Sequence, residues 1–214
     1  MIGSRLNLPN VITFARIASC PLIFWLAISL DVGAQFWAFG LFIVAGLSDA
    51  WDGYVARRYD LITDLGKLLD PFADKLLLAS TLIPFYLISH RGGPLDPVPW
   101  WGPLPTWVLV VIFGREIFIT AFRSYAARHG DVIPAGKAGK HKALLQMLFI
   151  GGLLLWYPLV ELAEAGDWSG NAWWVVSQFL QGWIGVTLIV AIVLTVYSLL
   201  DYLWSYRTLI GIRD

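Results

Sequence analysis

The sequence predicts an all-α integral membrane protein with six transmembrane helices in a single domain, residues 1–214. Its composition is 58% hydrophobic and only 14% charged, whereas charged residues make up about 25% of an ordinary soluble domain. The apolar residues also fall into runs that approach the roughly 20 residues needed to cross a bilayer. Because backbone polar groups inside lipid must bond to one another, we expect each run to form a helix.

Six apolar spans follow one another, each separated from the next by residues that favour turns. The predicted spans are residues 10–30, 35–56, 66–89, 104–127, 140–160 and 173–204. Glycine, proline and aspartate are concentrated between them, as in HRGGPLDPVP after the third span and HGDVIPAGKAGK after the fourth. These residues end helices and start loops, so we expect the chain to cross the membrane six times.

Lysine and arginine are unevenly distributed between the two sets of connections. One set comprises the N-terminus, the turn at 57–67, the loop at 128–142 and the C-terminus; its basic residues are Arg5, Arg57, Arg58, Lys67, Arg128, Lys137, Lys140, Lys142, Arg207 and Arg213. The other set, at 31–34, 90–103 and 161–172, carries only Arg91. Cytoplasmic loops are enriched in Lys and Arg. We therefore expect a multi-pass protein of the inner (cytoplasmic) membrane with both termini inside.

A cluster of carboxylates interrupts this apolar chain. Residues 48–75, SDAWDGYVARRYDLITDLGKLLDPFADK, contain six of the fifteen acidic residues. Asp49 and Asp52 are three apart and share a helix face, and Asp70 and Asp74, four apart, share a face of the next span. A short turn joins the two spans, so we expect them to be antiparallel neighbours whose acidic faces converge at the cytoplasmic side.

Four converging carboxylates repel one another and need cations to offset their charge. Carboxylate oxygens are preferred ligands of hard divalent cations, and Mg²⁺ commonly combines a few carboxylates with phosphate oxygens of a substrate. Two such ions can clamp a phosphoryl group during its transfer. The spacing therefore predicts a metal site for phosphate chemistry.

Other interpretations of the same carboxylates are ordinary helix-end charges, an intramembrane prenyltransferase and a divalent-cation transporter. Prenyltransferases also use paired aspartates and Mg²⁺, but their two motifs are normally far apart in sequence. A transporter would place its acids near the middle of the spans, whereas these lie toward the cytoplasmic ends. Asp60 and Asp64 fall in the turn and are interpreted as solvated or capping residues.

The stretch matches the pattern D-x2-D-G-x2-A-R-x8-G-x3-D-x3-D at every fixed position: Asp49, Asp52, Gly53, Ala56, Arg57, Gly66, Asp70 and Asp74. It resembles the signature of the CDP-alcohol phosphotransferase (class I CDP-alcohol phosphatidyltransferase) family. The resemblance covers essentially the whole chain. It implies that family's fold of six transmembrane helices, a homodimer, and transfer of a phosphoryl-containing group from a CDP-linked donor to an alcohol with release of CMP.

The resemblance also implies roles for individual residues. Two divalent cations, Mg²⁺ or Mn²⁺, would be bound by Asp49, Asp52, Asp70 and Asp74. Asp74 would in addition act as the general base. The nucleotide of the donor would lie against Asn10, Thr13, Gly53, Ala56, Arg57, Thr63 and Gly66. The planar guanidinium of Arg57 suits a pyrophosphate because it can donate two parallel hydrogen bonds.

Arg16 follows Thr13 within one turn of the first apolar span. A charged side chain inside such a span needs a partner. Both a phosphate and the aspartate cluster fit that need.

The acceptor alcohol has to be inferred from a different part of the chain. The segments GREIFITAFRSYAARHG and GKAGKHKALLQ place Arg115 and Arg123 inside the fourth span and Lys140 and Lys142 at the start of the fifth. Basic residues that converge from two elements suit a phosphate on the acceptor. Glu116 is a further charge in the fourth span, which indicates paired or cavity-facing residues there.

Three segments, NLPN-x2-T-x2-R, GREI and GK-x-K-x3-Q, resemble the bacterial phosphatidylglycerophosphate synthase branch of the family. That resemblance implies CDP-diacylglycerol as donor and sn-glycerol 3-phosphate as acceptor. The chain departs from the branch at Ala143, where a threonine is usual. Inositol phosphate, phosphatidylglycerol, serine and an aminoalcohol remain alternative acceptors. The net charge is zero, and we expect no nucleic-acid partner.

Overall fold

A computed structural model of the chain describes residues 8–59, 63–93, 97–128 and 137–206. These residues form six helices: α1 (Leu8–Ala27), α2 (Val32–Arg58), α3 (Asp64–Ser89), α4 (Thr106–Arg128), α5 (Lys137–Ala165) and α6 (Asn171–Ser205). The all-α prediction is confirmed, and the helices follow the predicted spans to within a few residues. Arg5, Asp60, Arg207 and Arg213 lie outside the described residues.

Five of the helices, α1, α2, α3, α5 and α6, contain stretches long and apolar enough to cross a membrane. Large apolar side chains also cover their outer surfaces, among them Trp37, Leu47 and Val193, as expected where lipid is the solvent. The chain is therefore a multi-pass membrane protein. Helix α4 carries Arg115, Glu116 and Arg123 within 23 residues, and its crossing, the sixth, stays a prediction.

Two helix starts are fixed by side-chain caps. Asp31 accepts a hydrogen bond of 2.7 Å from the backbone nitrogen of Ala34 and caps α2. Thr63 accepts one of 3.0 Å from the backbone nitrogen of Gly66 and caps α3. Such caps satisfy backbone donors that lack a partner in the first helical turn. The cap at Thr63 fixes the start of the helix that carries Asp70 and Asp74.

Helix α1 packs against both α2 and α3, whereas α2 and α3 make few direct contacts with each other. The prediction that the two acidic helices are direct neighbours is therefore wrong. The buried face of α1 includes Thr13, Arg16 and Cys20, spaced at helical intervals. This face brings an arginine between two helices whose aspartates repel each other, which explains why α1 lies there.

The remaining helices complete the bundle around the core. Helix α5 packs against α2 and α6, and α4 packs mainly against α6. Large side chains that are almost fully buried, including Phe85, Phe149 and Leu153, fill the interior. Because α5 contacts α2, the start of α5 is held close to the end of α2 that carries Asp49 and Asp52.

Candidate active site

Arg16 of α1 lies among the aspartates of α2 and α3. Its Nη1 donates to Oδ1 of Asp49, and its Nη2 donates to Oδ2 of Asp52 at 2.7 Å. The same Nη1 lies 3.8 Å from Oδ1 of Asp74. The Arg16 side chain is only 1% exposed. Aspartates from both helices therefore converge, as predicted, but they do so around a side chain of α1.

The fourth aspartate contacts the same helix one turn earlier. The Thr13 hydroxyl lies 3.2 Å from Oδ1 of Asp70 and 3.1 Å from the backbone oxygen of Pro9, and it can donate its one proton to either. Thr13 is buried. Thr13 and Arg16 together thus hold all four aspartates against one face of α1.

The aspartates differ in their access to solvent. The side chain of Asp52 is 7% exposed, whereas those of Asp49 and Asp74 are 45% and 63% exposed. Solvent is therefore largely excluded from Asp52 but reaches Asp74. Asp70 is exposed as well.

Three of the residues predicted to line the nucleotide site lie together at the start of α3. The Thr63 hydroxyl donates to Oδ1 of Asn10 at 3.1 Å, and the Gly66 nitrogen donates to the Thr63 hydroxyl. A Cβ atom at Gly66 would lie 2.9 Å from Oδ1 of Asn10. A larger residue at position 66 would therefore force either the Asn10 side chain or the two helices to shift. Thr13 lies one turn further along α1.

The other predicted nucleotide residues lie on α2. Gly53 and Ala56 are half-buried and follow Asp52 toward the end of the helix. The backbone of Arg57 belongs to the same helix, and its side chain lies outside the described part of the structure. The predicted nucleotide set is thus distributed over the ends of three helices that meet at the aspartates.

A cavity of about 160 Å³ extends from the aspartates toward α4 and α5. Its polar lining consists of Asp49, Asp74, Lys75, Glu116, Lys142 and Gln146, and apolar side chains of α2, α3 and α5 line the rest. We call this space the central cavity. It places an exposed aspartate, Asp74, and a buried lysine, Lys142, around the same volume.

Glu116 organises two of the predicted acceptor residues. Lys142, which is 3% exposed, donates to Oε1 of Glu116. Nη1 of Arg115 donates to the same oxygen at 3.1 Å, and Nε of Arg115 donates to the Ser198 hydroxyl at 3.2 Å. Lys142 therefore borders the central cavity directly, and Arg115 is connected to it through Glu116. The sequence showed only that Glu116 is a charge inside a span.

The structure places one of the other two predicted acceptor residues, Arg123, apart from this group. The guanidinium carbon of Arg123 lies 6.0 Å from the centre of the Tyr202 ring on α6, and Arg123 does not line the central cavity. Lys140 belongs to α5, but its side chain lies outside the described residues. Their roles in acceptor binding stay predictions.

Lys75 is a residue of the site that the sequence did not single out. It lines the central cavity beside Asp74, and its Nζ donates to the backbone oxygen of Pro71 at 3.1 Å. A lysine that directly follows a predicted metal-binding aspartate in an apolar helix is the signal that could have identified it. For Arg16, the sequence left a phosphate and the aspartates as alternative partners, and the structure shows the aspartates.

The donor set suits a hard divalent cation, because all four aspartates lie near Thr13 or Arg16 on one face of α1 and two of them border an open cavity. As the described side chains stand, no three carboxylate, imidazole or thiolate groups are close enough together to enclose an ion. Asp49 and Asp52 are instead directed at Arg16. A cation would have to share those oxygens with the guanidinium.

Comparison with known proteins gives one family and several similar relatives. The model of the CDP-alcohol phosphatidyltransferase family matches residues 6–197. The chain is 35% identical to a CDP-diacylglycerol–glycerol-3-phosphate 3-phosphatidyltransferase of Bacillus subtilis over 191 residues, which cover 83% of this chain and 92% of the relative. It is 34% identical to a protein of the same name from Rickettsia bellii, over 70% of this chain and 75% of the relative. It is 31% identical to a cardiolipin synthase (CMP-forming) of Streptomyces coelicolor, over 86% of this chain and 77% of the relative.

Proposed function

The chain belongs to the CDP-alcohol phosphatidyltransferase family, and we propose that it transfers the phosphatidyl group of CDP-diacylglycerol to sn-glycerol 3-phosphate. The products are phosphatidylglycerol phosphate and CMP. The observation that carries this proposal is the central cavity, which joins the aspartate cluster to a buried lysine. Similar relatives bear the name of this activity.

Asp49, Asp52, Asp70 and Asp74 would hold two divalent cations, Mg²⁺ or Mn²⁺. When bound, such ions offset the negative charge of the pyrophosphate and of the departing CMP. The carboxylate donor set and the contacts that gather it against α1 support this assignment.

The nucleotide of the donor binds at the ends of α1, α2 and α3. The residues proposed for this site are Asn10, Thr13, Gly53, Ala56, Arg57, Thr63 and Gly66. The hydrogen bonds that link Asn10, Thr63 and Gly66 support a common site for them. The acyl chains of the donor remain in lipid beside the apolar helix surfaces, and the pyrophosphate lies at the aspartates.

The acceptor binds in the central cavity with its phosphate on Lys142 and Lys75. Arg115 contributes through Glu116, and Lys140 is a further candidate. Arg123 lies against Tyr202 rather than on the cavity, so we expect no direct role for it in binding the acceptor. The primary hydroxyl of the acceptor faces Asp74, whose exposed carboxylate accepts the proton. The hydroxyl oxygen forms a bond to the phosphorus next to diacylglycerol. The bond from that phosphorus to the bridging pyrophosphate oxygen breaks, and CMP leaves with its electron pair.

A second candidate acceptor is phosphatidylglycerol, because one similar relative is named as a cardiolipin synthase. The small volume of the central cavity and its buried lysine favour a compact acceptor that carries a phosphate monoester. Inositol phosphate shares that chemistry and stays an alternative.

The protein would lie in the inner membrane with its active site and both termini on the cytoplasmic side. The excess of Lys and Arg in the connections on that side supports this orientation. The active form would be a homodimer, as the family resemblance implies.

A single assay with a panel of acceptors tests the proposal. Purified protein, CDP-diacylglycerol and Mg²⁺ are incubated with glycerol 3-phosphate, phosphatidylglycerol, inositol phosphate or serine, and CMP and the lipid product are measured. We expect CMP and a phosphorylated lipid with glycerol 3-phosphate. CMP with phosphatidylglycerol or inositol phosphate alone would contradict the acceptor, and no CMP with any alcohol would contradict the reaction.

A further inference from the structure

Arg16 is the only charged residue of α1, and its side chain is almost completely buried. A buried charge is strongly unfavourable unless it is paired and hydrogen-bonded. Asp49 and Asp52 provide the paired contacts, while Nε of Arg16 is buried and has no hydrogen-bond partner among the residues that the structure describes. The aspartates rather than the rest of the bundle therefore hold the guanidinium in place.

The oxygens that bind Arg16 belong to carboxylates proposed as metal ligands. Oδ1 of Asp49 and Oδ2 of Asp52 accept from the guanidinium, and Oδ1 of Asp74 lies 3.8 Å from it. A cation at this site and Arg16 would thus draw on the same negative charge. At separations of this size and with the effective dielectric constant of a protein, a like charge weakens cation binding substantially.

The charge balance indicates what this competition does. Four carboxylates and one guanidinium carry a net charge of three negative units. Two divalent cations would reverse the sign of the cluster to positive, and a pyrophosphate group would make it negative again. Without the guanidinium, two divalent cations would neutralise the four carboxylates with no substrate present.

We propose that Arg16 is the internal counter-cation of the aspartate cluster. It competes with divalent cations for Asp49 and Asp52 and so couples full metal loading to binding of the CDP-linked donor. Arg16 is in this sense a positioning residue that acts through the aspartates. This inference rests on the metal site of the proposed function.

Binding of Mn²⁺ tests the inference without a turnover assay. Free Mn²⁺ is measured by its electron paramagnetic resonance signal in titrations of the detergent-solubilised protein, with and without CDP. We expect Arg16→Gln to bind Mn²⁺ with an affinity about tenfold higher than the unmodified protein when CDP is absent. The gain in Mn²⁺ affinity on adding CDP should be correspondingly smaller in that variant. Arg16→Lys keeps the positive charge and should resemble the unmodified protein.

If Arg16→Gln folds poorly, the inference is tested instead by its melting temperature in chelator and in Mn²⁺. The variant should melt at a lower temperature in chelator, since four carboxylates then lack their counter-charge, and Mn²⁺ should restore its melting temperature. Arg115→Gln is the matched control. The half-buried Arg115 pairs with Glu116 rather than with the aspartates, so the destabilisation of this variant should not respond to Mn²⁺.

Three outcomes would overturn the inference. Binding of Mn²⁺ by Arg16→Gln with an affinity equal to or lower than that of the unmodified protein would show that Arg16 does not compete with the metal. A loss of stability in Arg16→Gln that does not respond to Mn²⁺ would make Arg16 a purely structural residue. Finally, absence of Mn²⁺ binding by the unmodified protein would remove the proposed metal site together with this inference, whereas the other two outcomes leave that site intact.

Discussion

The Thr63 hydroxyl donates a hydrogen bond of 3.1 Å to the side-chain oxygen of Asn10. The contact joins the cap of α3 to the first turn of α1, where residues proposed to bind the nucleotide lie together. Because Thr63 also accepts from the backbone of Gly66, the three residues form one connected group. A side chain added at Gly66 would contact the side chains of both Asn10 and Thr63.

We expect Gly66→Ala to weaken binding of CDP-diacylglycerol. The new Cβ would lie 2.9 Å from the Asn10 oxygen, so α1 and α3 must separate slightly or the Asn10 side chain must turn away. The KM for CDP-diacylglycerol should rise roughly tenfold, which corresponds to about 1.4 kcal/mol. Gly40→Ala on α2 is the control, since a Cβ there meets no atom within 4 Å. An unchanged KM in Gly66→Ala would argue against a nucleotide site at this junction.

Asp74→Asn should fold and bind the donor but turn over slowly. The amide keeps the shape of the carboxylate and loses its ability to accept the acceptor's proton. General-base catalysis contributes about 10²- to 10⁴-fold, and kcat should fall by that range while CDP binding persists. Asp201→Asn, at an exposed position on α6, should leave kcat unchanged. Normal turnover by Asp74→Asn would exclude Asp74 as the base.

Lys142→Met should raise the KM for glycerol 3-phosphate without raising that for CDP-diacylglycerol. A hydrogen bond to a charged group contributes about 1.5–3 kcal/mol, so we expect an increase of roughly 10- to 100-fold. In the single variant the Glu116 carboxylate loses its lysine partner. The double variant Lys142→Met/Glu116→Gln removes that carboxylate as well, and its KM for glycerol 3-phosphate should equal that of Lys142→Met. Both KM values are obtained from initial rates of CMP release.

Arg123→Met provides the comparison for Lys142. Arg123 lies against Tyr202 rather than on the central cavity. The KM of Arg123→Met for glycerol 3-phosphate should therefore stay within about twofold of that of the unmodified protein, because substitutions away from special features have small effects. An increase equal to that of Lys142→Met would place Arg123 on the acceptor.

Thr13→Val should increase the Mg²⁺ concentration needed for half-maximal activity. The change preserves side-chain shape and removes the hydroxyl that lies 3.2 Å from Asp70, so this carboxylate is less firmly positioned. The shift should be several-fold, in line with the loss of a hydrogen bond to a charged group. Thr187→Val controls for loss of a buried hydroxyl, because Thr187 bonds only within α6. An equal effect of the two changes would mean that Thr13 acts on stability alone.

The orientation of the protein can be measured by labelling introduced cysteines. The native Cys20 is buried, so the background reaction should be small. Ser169→Cys, between α5 and α6, should react with a membrane-impermeant maleimide in intact cells. Arg58→Cys, at the end of α2, should react only after the membrane is permeabilised. The reverse pattern would invert the proposed topology.

The sequence was sufficient to predict the helices and the aspartate faces, because both depend on periodicity along one chain segment. It did not predict that α1 lies between α2 and α3, since the order in which helices pack depends on complementarity between distant segments. Arg123 illustrates a related limit. It shares a helix face with Glu116, but seven residues place it about 10 Å further along the axis, where it meets Tyr202 rather than the cavity.

The position of α1 has a consequence for biogenesis. During translation α1 is made before α2, and the partners of Arg16 follow 33 and 36 residues later. Alone in the bilayer, α1 would expose an unpaired guanidinium, at a cost of about 2.5–3.5 kcal/mol near the middle of a helix. We therefore expect α1 to become stably inserted only when α2 arrives, so that the two helices enter the membrane as a hairpin held together by Arg16 and the two aspartates of the proposed metal site.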